Sequence, residues 1–534
     1  MILGIDLDNT IIKYDNAFIE AAKFLNINIP AGITNKIELK KHCNSLNEGE
    51  LIWQKIQGLA YGKLLLKNAK LYTGVKRFIW RLKNKGHKIK IISHKTKFGH
   101  FDDEKNLLRE IALEFLKNNK IIDCESILVN DVFFLNTRKE KIEKIVSEKV
   151  EIFIDDLIEV IYDLKKFSQI KTIHFDENYR GLNSEEIKSD WQQIDNLING
   201  IWENNEVISL AHHIVENQII SINKISQGRN SAVFKLGLDN DTFLKFKIYP
   251  VDDNHDRINS EFYSTKILSD FGFDSIPKPL KYDKGLGIAA YQWIEGDIID
   301  EHNLDDISKC SNFINGLFKI KSEKDFSKIG LASAACISGK GIEDQLHQRI
   351  RYFKNIKNKD LTTFIFDEFV PLMNYFLQNA KNNWNFKYSF EEDLPLEKLT
   401  LSPSDFGFHN IIKKNNNELC FIDFEYFGYD DPVKLISDFY YHPGMNLNGI
   451  QKEYWLKQTL KIFGEEVFLR ASLCKPLYGL IWCLIILNDF RPEILERRIS
   501  ATTENNLNKS SLFQNQLNKA KSLLNFIKQE EKIK

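Results

Sequence analysis

Two rhythms of apolar residues divide the chain. In the first, short apolar runs end on polar residues: Ile2 to Ile5 closes on Asp6, Ile89 to Ile92 on Ser93, and Glu151 to Ile154 on Asp155. Further runs lie at Ile127 to Val129 and Lys171 to Phe175. Between them apolar positions recur at helical spacing, as in Leu107, Leu108, Ile111 and Phe115, and again from Arg138 to about Val150. Strands alternating with helices predict a parallel sheet covered on both faces. Ligands of such sheets lie beyond the carboxyl ends of the strands, which is where Asp6, Ser93 and Asp155 fall. The interval from Asp15 to about Lys85 is long and mostly helical, and it interrupts the alternation as an inserted cap. A polar helical stretch near Ser184 to Trp202 leads out of this region.

The second rhythm begins with a predicted hairpin, Ile219 to Ile225 and Ala232 to Leu236 around the turn SQGRNS, then a strand over Thr242 to Tyr249. A helix around Arg257 to Leu268 and a strand from Ile288 to Trp293 follow. Beyond them the pattern is mainly helical, broken by one segment from Leu399 to Asp431. The most apolar stretch, Pro476 to Leu487, is too short to cross a bilayer and predicts a buried helix. The closing KQEEKIK reads as a solvated helix end.

Composition narrows the classes. With 534 residues, 43% hydrophobic and 28% charged, the chain is neither wholly disordered nor fibrous. Lys+Arg 73 against Asp+Glu 74 leaves a net charge of -1, so no global basic excess drives nucleic-acid binding. Seven cysteines without a C-x-x-C pattern argue against a disulfide framework or a structural zinc site. The start MILGIDLDNT carries two aspartates and does not read as a signal peptide. The expectation is a cytoplasmic enzyme with a small-molecule substrate, no nucleic-acid partner and no membrane insertion. The oligomeric state is left open.

The first chemical constellation follows the first strand. Asp6 and Asp8 are two apart and point to the same side if the strand continues. One carboxylate can then attack phosphorus while the other shuttles a proton. Ser93, Lys141 (in TRKEKIEKI, with Lys139 as a competitor) and Asp155-Asp156 follow in order. Together these residues resemble the haloacid dehalogenase superfamily, whose motifs are D-x-D-x-T, a strand-end Ser/Thr, a Lys and a D-D pair. The resemblance covers residues 1 to about 180. It implies a Mg²⁺-dependent phosphatase in which Asp6 becomes a phospho-aspartate and Asp8 is the general acid/base. It also implies Thr10, Ser93 and Lys141 on the phosphoryl group, and Asp6, the carbonyl of Asp8, and Asp155 on the metal, with Asp156 beside them.

The second constellation lies in SPSDFGFHNIIKKNNNELCFIDFEYFGYDD, residues 402 to 431. Asp405 and Asn410 are five apart, and Asp423 follows an apolar run. A phosphoryl-transfer loop needs a carboxylate near the acceptor hydroxyl, and an amide oxygen and a carboxylate on Mg²⁺. Upstream, Lys247 or Lys245 can hold phosphates and Glu261 can pair with the lysine. These residues resemble the aminoglycoside phosphotransferase and choline kinase-like family, over roughly residues 205 to 500. The resemblance implies ATP as co-substrate, Asp405 as catalytic base, and Asn410 and Asp423 as Mg²⁺ ligands. It places Gln292 and Trp293 at the adenine and the Ser226 to Ser231 loop, with its single Gly228, over the phosphates. The chain departs at Pro403, where the family carries His, and at Phe424-Glu425. His409 reads as a packing or hydrogen-bonding residue, His442-Pro443-Gly444 as a turn, and His212-His213 as a poor metal site.

The fold class expected is therefore α/β: a Rossmann-like parallel-sheet domain with a helical cap (residues 1–185, cap about 15–85), fused to an α+β two-lobed, protein-kinase-like domain (205–500). A linker helix (186–204) joins them and a helical tail (501–534) closes the chain. The expected activity is bifunctional. A phosphatase and a small-molecule kinase act on a sugar or sugar phosphate, for surface polysaccharide or nucleotide-sugar synthesis. The alternative is an amino-alcohol or aminoglycoside kinase, with Asp305 and Asp306 as candidate contacts to a cationic acceptor and the first domain as regulator or scaffold.

Overall fold

A computed structural model describes residues 1–30, 32–99, 101, 105–122, 131–177, 188–225, 231–251, 255–299, 301–492, 494–495 and 509–532. The chain divides into two compact units. The first comprises Met1–His213, Pro250–Asp253 and Asp283–Gly287; the second comprises Ile214–Tyr249, Asn254–Tyr282 and Ile288–Lys534.

The first unit is built on a six-stranded parallel sheet: β1 (Ile2–Ile5), β2 (Lys88–His94), β3 (Val132–Leu135), β4 (Ile152–Asp155), β5 (Lys171–Phe175) and β6 (Lys188–Ser189). The order is β3-β2-β1-β4-β5-β6. The strand expected at Ile127 to Val129 lies outside the described residues, and Val132–Leu135 forms the edge. β1 pairs with β2 on one side and β4 on the other, with Ile5 opposite both Ile91 and Ile154. That register brings the residues after β1 level with Ser93 and Asp155, at the point where strand order reverses.

The insert after β1 holds helices Asp15–Phe24, Lys36–Asn44, Gly49–Tyr61 and Leu65–Asn68. A two-residue ribbon, Ile12–Lys13 against Lys70–Leu71, closes its base. Helix Val75–Asn84 returns to the sheet and buries Val75, Phe78, Ile79 and Leu82, with Phe78 5.0 Å from the Trp191 ring. The stretch from 186 to 204, expected as a linker, contributes β6 and helix Trp191–Asn199 to this unit, and helix Asn204–Ala211 follows.

One buried arginine ties these helices together. Arg81 is 1% exposed, and it donates to Glu206 at 2.6 Å and 3.0 Å, to Asp195 at 3.1 Å and to the Gly200 carbonyl at 3.2 Å. Its guanidinium also lies 3.9 Å from the Trp202 ring centroid.

The second unit opens with a five-stranded antiparallel sheet: β7 (Ile219–Ile225), β8 (Ala232–Leu238), β9 (Phe243–Ile248), β10 (Pro279–Asp283) and β11 (Ile288–Gln292), in the order β10-β11-β9-β8-β7. β10 was not legible in the sequence, because it begins on proline and sits at an edge with mostly exposed side chains. The helix expected at Arg257 to Leu268 is a wide π-helical turn, Asn259–Tyr263, running into helix Ser264–Asp270. Two small sheets follow, one of Asp297–Ile298, Ile411–Lys413 and Leu419–Phe421 and one of Thr400–Ser402 with Gly428–Asp430. The remainder is mainly helical, around an aromatic core in which Phe313 stacks on Phe421 at 4.0 Å.

The apolar stretch from Pro476 is part of a longer helix than expected, Glu465–Ile486, which continues through that proline. With the turn to Phe490 it is long and apolar enough to span a bilayer, but Leu477, Tyr478, Leu480, Cys483 and Leu484 are buried within the unit. Helix Lys509–Glu530 docks on it through Leu517, Ala520, Leu524 and Ile527. The chain end is less solvated than its composition suggests: Glu530 accepts from Tyr440 and Tyr441 and pairs with Lys475.

Arg81→Ala strands two buried carboxylates and is expected to destabilise the first unit by roughly 3–5 kcal/mol. The loss is read as a lower melting temperature for that unit in calorimetry.

Candidate active sites

In the first unit the strand ends converge on one buried lysine. Helix Arg138–Ser147 starts at Thr137, whose hydroxyl caps the Glu140 amide at 3.1 Å. This register points Lys141 inward and leaves Lys139 86% exposed. Lys141 Nζ lies 2.5 Å from Asp6 Oδ1 and 2.6 Å from Asp155 Oδ2. Carboxylate oxygens of Asp6, Asp155 and Asp156 all lie within 4.8 Å of one another. An all-oxygen set of this kind fits Mg²⁺.

Burial, reinforced by the neighbouring carboxylates, pushes Asp6 well above the usual range although Lys141 pulls it down. Burial and then Asp155 push Asp156 up to about 7. Burial opposes the Lys141 ammonium, but Asp6 and Asp155 outweigh it and raise its pKa.

The other expected residues fall around this centre. Ser93 Oγ is buried with no hydrogen-bond partner among the described residues. Thr10 accepts from the Asp156 amide at 3.2 Å and donates to its carboxylate at 3.3 Å, fixing the turn after β4. Asp8 accepts from Tyr14 at 2.6 Å and, through both oxygens, from Lys95 at 2.9 Å.

Lys95 was not foreseen. Nor was Lys36, which reaches from the insert to Asn9 Oδ1 at 3.1 Å and the Tyr61 hydroxyl at 3.0 Å. Neither belongs to a local motif. Folding of the insert and the turn after β2 brings them in.

In the second unit, Lys247 and Lys245 share one face of β9. Lys247 is 1% exposed, and its Nζ lies 2.6 Å from Glu261 Oε2, 2.6 Å from Asp423 Oδ1 and 3.5 Å from Glu425 Oε1. Lys245 lies 3.6 Å from Glu261. The geometry therefore favours Lys247 as the central cation. The wide turn at Asn259–Tyr263 carries Glu261 to it, a geometry often found at functional sites. Tyr249 donates to the same Glu261 oxygen at 2.7 Å.

Asp423 has a backbone φ of 68°, as does Ser404 just before Asp405. Two non-glycine residues held in this left-handed region mark a locally over-determined loop. Asp405 Oδ1 is 3.0 Å from His409 Nε2, and His409 stacks on His442 at 4.3 Å. The Asn410 amide donates to the Asp405 carbonyl at 2.9 Å. His409 thus supports Asp405 from within the same loop.

Glu425 is drawn away from open solvent: it accepts from Ser231 at 3.1 Å and Arg257 at 3.0 Å. Gly228 lies outside the described residues. Gln292 ends β11 beside a shallow cavity of about 360 Å³ lined also by Trp293, Ile294, Glu295 and Lys414 to Asn416.

No protein-family model and no curated protein matches the chain. Solved structures resemble part of it. A spectinomycin phosphotransferase in complex with ADP and spectinomycin is 13% identical, covering 61% of this chain and 99% of its own, with a TM-score of 0.41. Choline kinase from Cryptosporidium parvum is 14% identical over 60% of this chain and 97% of its own, TM-score 0.40. Plasmodium vivax ethanolamine kinase is 12% identical over 64% and 96%, TM-score 0.41. At TM-scores near 0.4 these likenesses carry no functional conclusion.

Burial alone would raise the Asp423 carboxyl, but Lys247 and Lys245 bring it down to about 2. A depressed acid pKa adds stability above the unfolded value near 3.8 and loses it as pH falls toward 2. Asp423→Asn should therefore cost on the order of 1–2 kcal/mol at neutral pH, after allowing for its partial exposure. The difference from wild type should shrink between about pH 4 and pH 2 in acid-denaturation curves.

Proposed function

We propose that the second unit is an ATP-dependent kinase of a small molecule. The observation that carries this reading is the Lys247 ammonium held between Glu261 and Asp423 at 2.6 Å each, with Asp405 oriented by His409 on the same 402–431 segment. A lysine fixed by one carboxylate and close to a second can receive nucleotide phosphates where the second carboxylate holds a metal. Asn410 and Asp423 would hold Mg²⁺, which when bound screens the phosphate charge and orients it.

Asp405 takes the proton from the acceptor hydroxyl. That oxygen forms the new bond to the γ-phosphorus as the bond to the ADP oxygen breaks. Burial raises the Asp405 carboxyl, but the hydrogen bond and charge of His409 more than offset this and bring it below the usual range. It is thus ionised at neutral pH, as a base must be. Gln292 and Trp293 would edge the adenine. Asp405→Asn should keep Mg-ATP binding within a few fold and lower turnover by about 10²–10⁴. Undiminished turnover in that variant would contradict the reading.

A second activity is favoured in the first unit by one observation, the Lys141 bridge between Asp6 and Asp155 beside the Ser93 hydroxyl, which has no partner among the described residues. In this reading Asp6 attacks a phosphate monoester while Lys141 and Ser93 hold the phosphoryl oxygens and Asp8 protonates the leaving oxygen; Asp8 then takes a proton from the water that cleaves the Asp6 acyl phosphate, releasing phosphate. Asp6, Asp155 and the backbone of Asp8 would hold Mg²⁺. With both activities on one chain, a sugar phosphorylated at one carbon and dephosphorylated at another is the simplest shared metabolite. Asp6→Asn should abolish hydrolysis of para-nitrophenyl phosphate and leave ATP turnover unchanged; hydrolysis surviving in that variant rules the activity out of this site.

A further inference from the structure

The second unit contains a cavity of about 450 Å³, lined by Ala334, Ala335, Gly341, Asp344, Gln345, Gln348, Arg349, Tyr352 and Arg491. Its volume is that of a small-molecule site. Gly341, Asp344, Gln345, Gln348 and Tyr352 recur at three- and four-residue spacing on helix Gly339–Arg351 and its end, so one helix stripe forms the floor. We infer that this cavity holds the acceptor of the phosphoryl-transfer reaction, and that the acceptor carries an anionic group of the phosphate-ester class recognised by Arg349. The acceptor role rests on the kinase reading above; the anion site itself does not.

Charge is the first reason. Arg349 Nε is buried without a hydrogen-bond partner among the described residues, and no carboxylate lies within ion-pair distance of its side chain there. Leaving a guanidinium donor buried and unpaired costs free energy, and a planar fork of donors matches a phosphate bidentately. Burial and the nearby Arg491 depress the Arg349 pKa, although Tyr352, Cys336 and Asp438 act the other way. The Arg491 guanidinium lies over the Tyr352 ring at 3.9 Å and adds a second positive group to the wall.

The acidic groups nearby are already engaged. Asp344 pairs with Lys340 at 2.8 Å and is 63% exposed, and Asp438 pairs with Lys434 at 2.7 Å and accepts from Trp482 at 2.9 Å. Among the described residues, a cationic acceptor would find no buried carboxylate free in this cavity. Asp305 and Asp306, the sequence candidates for that role, pair with Lys309 at 2.6 Å and Lys413 at 2.9 Å.

Position is the second reason. The cavity wall continues directly from Ser333, whose carbonyl accepts from Ser404 at 3.3 Å and whose amide donates to the Tyr426 carbonyl at 3.2 Å. Ser404 precedes Asp405. Ala334 itself is held at φ 57°, an expensive conformation for alanine. A hydrogen bond from Gln345 to its carbonyl at 2.8 Å secures it. The strained wall residue therefore links the arginine-bearing helix to the loop that carries the base.

The test is calorimetric titration of the full-length protein with inorganic phosphate, in a parent protein and its Arg349→Gln and Arg349→Lys variants, with choline and Mg-ADP titrated separately into each. The first unit can also take up phosphate, so all three proteins carry Asp6→Asn and Lys141→Ala. Phosphate should bind the parent at least about tenfold more tightly than Arg349→Gln, the loss of a bidentate charged contact, and Arg349→Lys should fall between. Melting without phosphate should be unchanged or higher in Arg349→Gln, since an unpaired buried donor is removed. Equal phosphate binding in parent and Arg349→Gln, no binding in the parent, or tighter binding of choline than of phosphate each overturns the proposal. Arg349-dependent phosphate binding without Mg-ADP binding would leave the anion site standing and remove the kinase reading. Mg-ADP binding with Arg349-independent phosphate would do the reverse.

Discussion

A buried lysine between two carboxylates is the interaction on which each unit's site depends. In the first unit Lys141 joins the ends of β1 and β4 through Asp6 and Asp155. In the second, Lys247 joins β9 to Glu261 and to the loop bearing Asp423. Such groups are costly to desolvate, and replacing them with apolar residues would often cost nothing or even stabilise. The bridge neutralises clustered carboxylates and keeps them in register, and in the first unit the oxygens of Asp6, Asp155 and Asp156 form a set that fits a divalent cation.

The supporting structure is arranged around these bridges. The sheet register sets Asp6, Ser93 and Asp155 side by side. Arg81 anchors the helices that follow the sheet by an ion-pair network of its own. In the second unit a wide helical turn delivers Glu261, and two left-handed residues, Ser404 and Asp423, shape the loop. His409 supports Asp405 from within the loop.

Much of this was legible in the sequence, because strand-end carboxylates and the Asp405–Asn410–Asp423 spacing are local patterns. The choice of Lys141 over Lys139 was also within reach, since Lys139 falls on the exposed side of its helix. Other features depend on distant chain segments. Lys95 meets Asp8, and Lys36 meets Asn9 and Tyr61, only after the insert folds back. Ser231 was expected over phosphates, yet its hydroxyl is bonded to Glu425. The Arg349 cavity draws its lining from residues 334 to 352 together with Arg491, a separation no motif spans. Strand Pro279–Asp283 was hidden because an exposed edge strand has no alternation to read.

The activity proposed for the second unit is transfer of the γ-phosphoryl group of ATP to a small molecule. A phosphorus NMR time course with Mg-ATP and a pooled set of sugars, sugar phosphates and amino alcohols tests it most directly. A new phosphomonoester resonance that grows in step with ADP is the expected result. ATP that stays intact across the pool, in protein shown to bind neither ADP nor ATP, would contradict it.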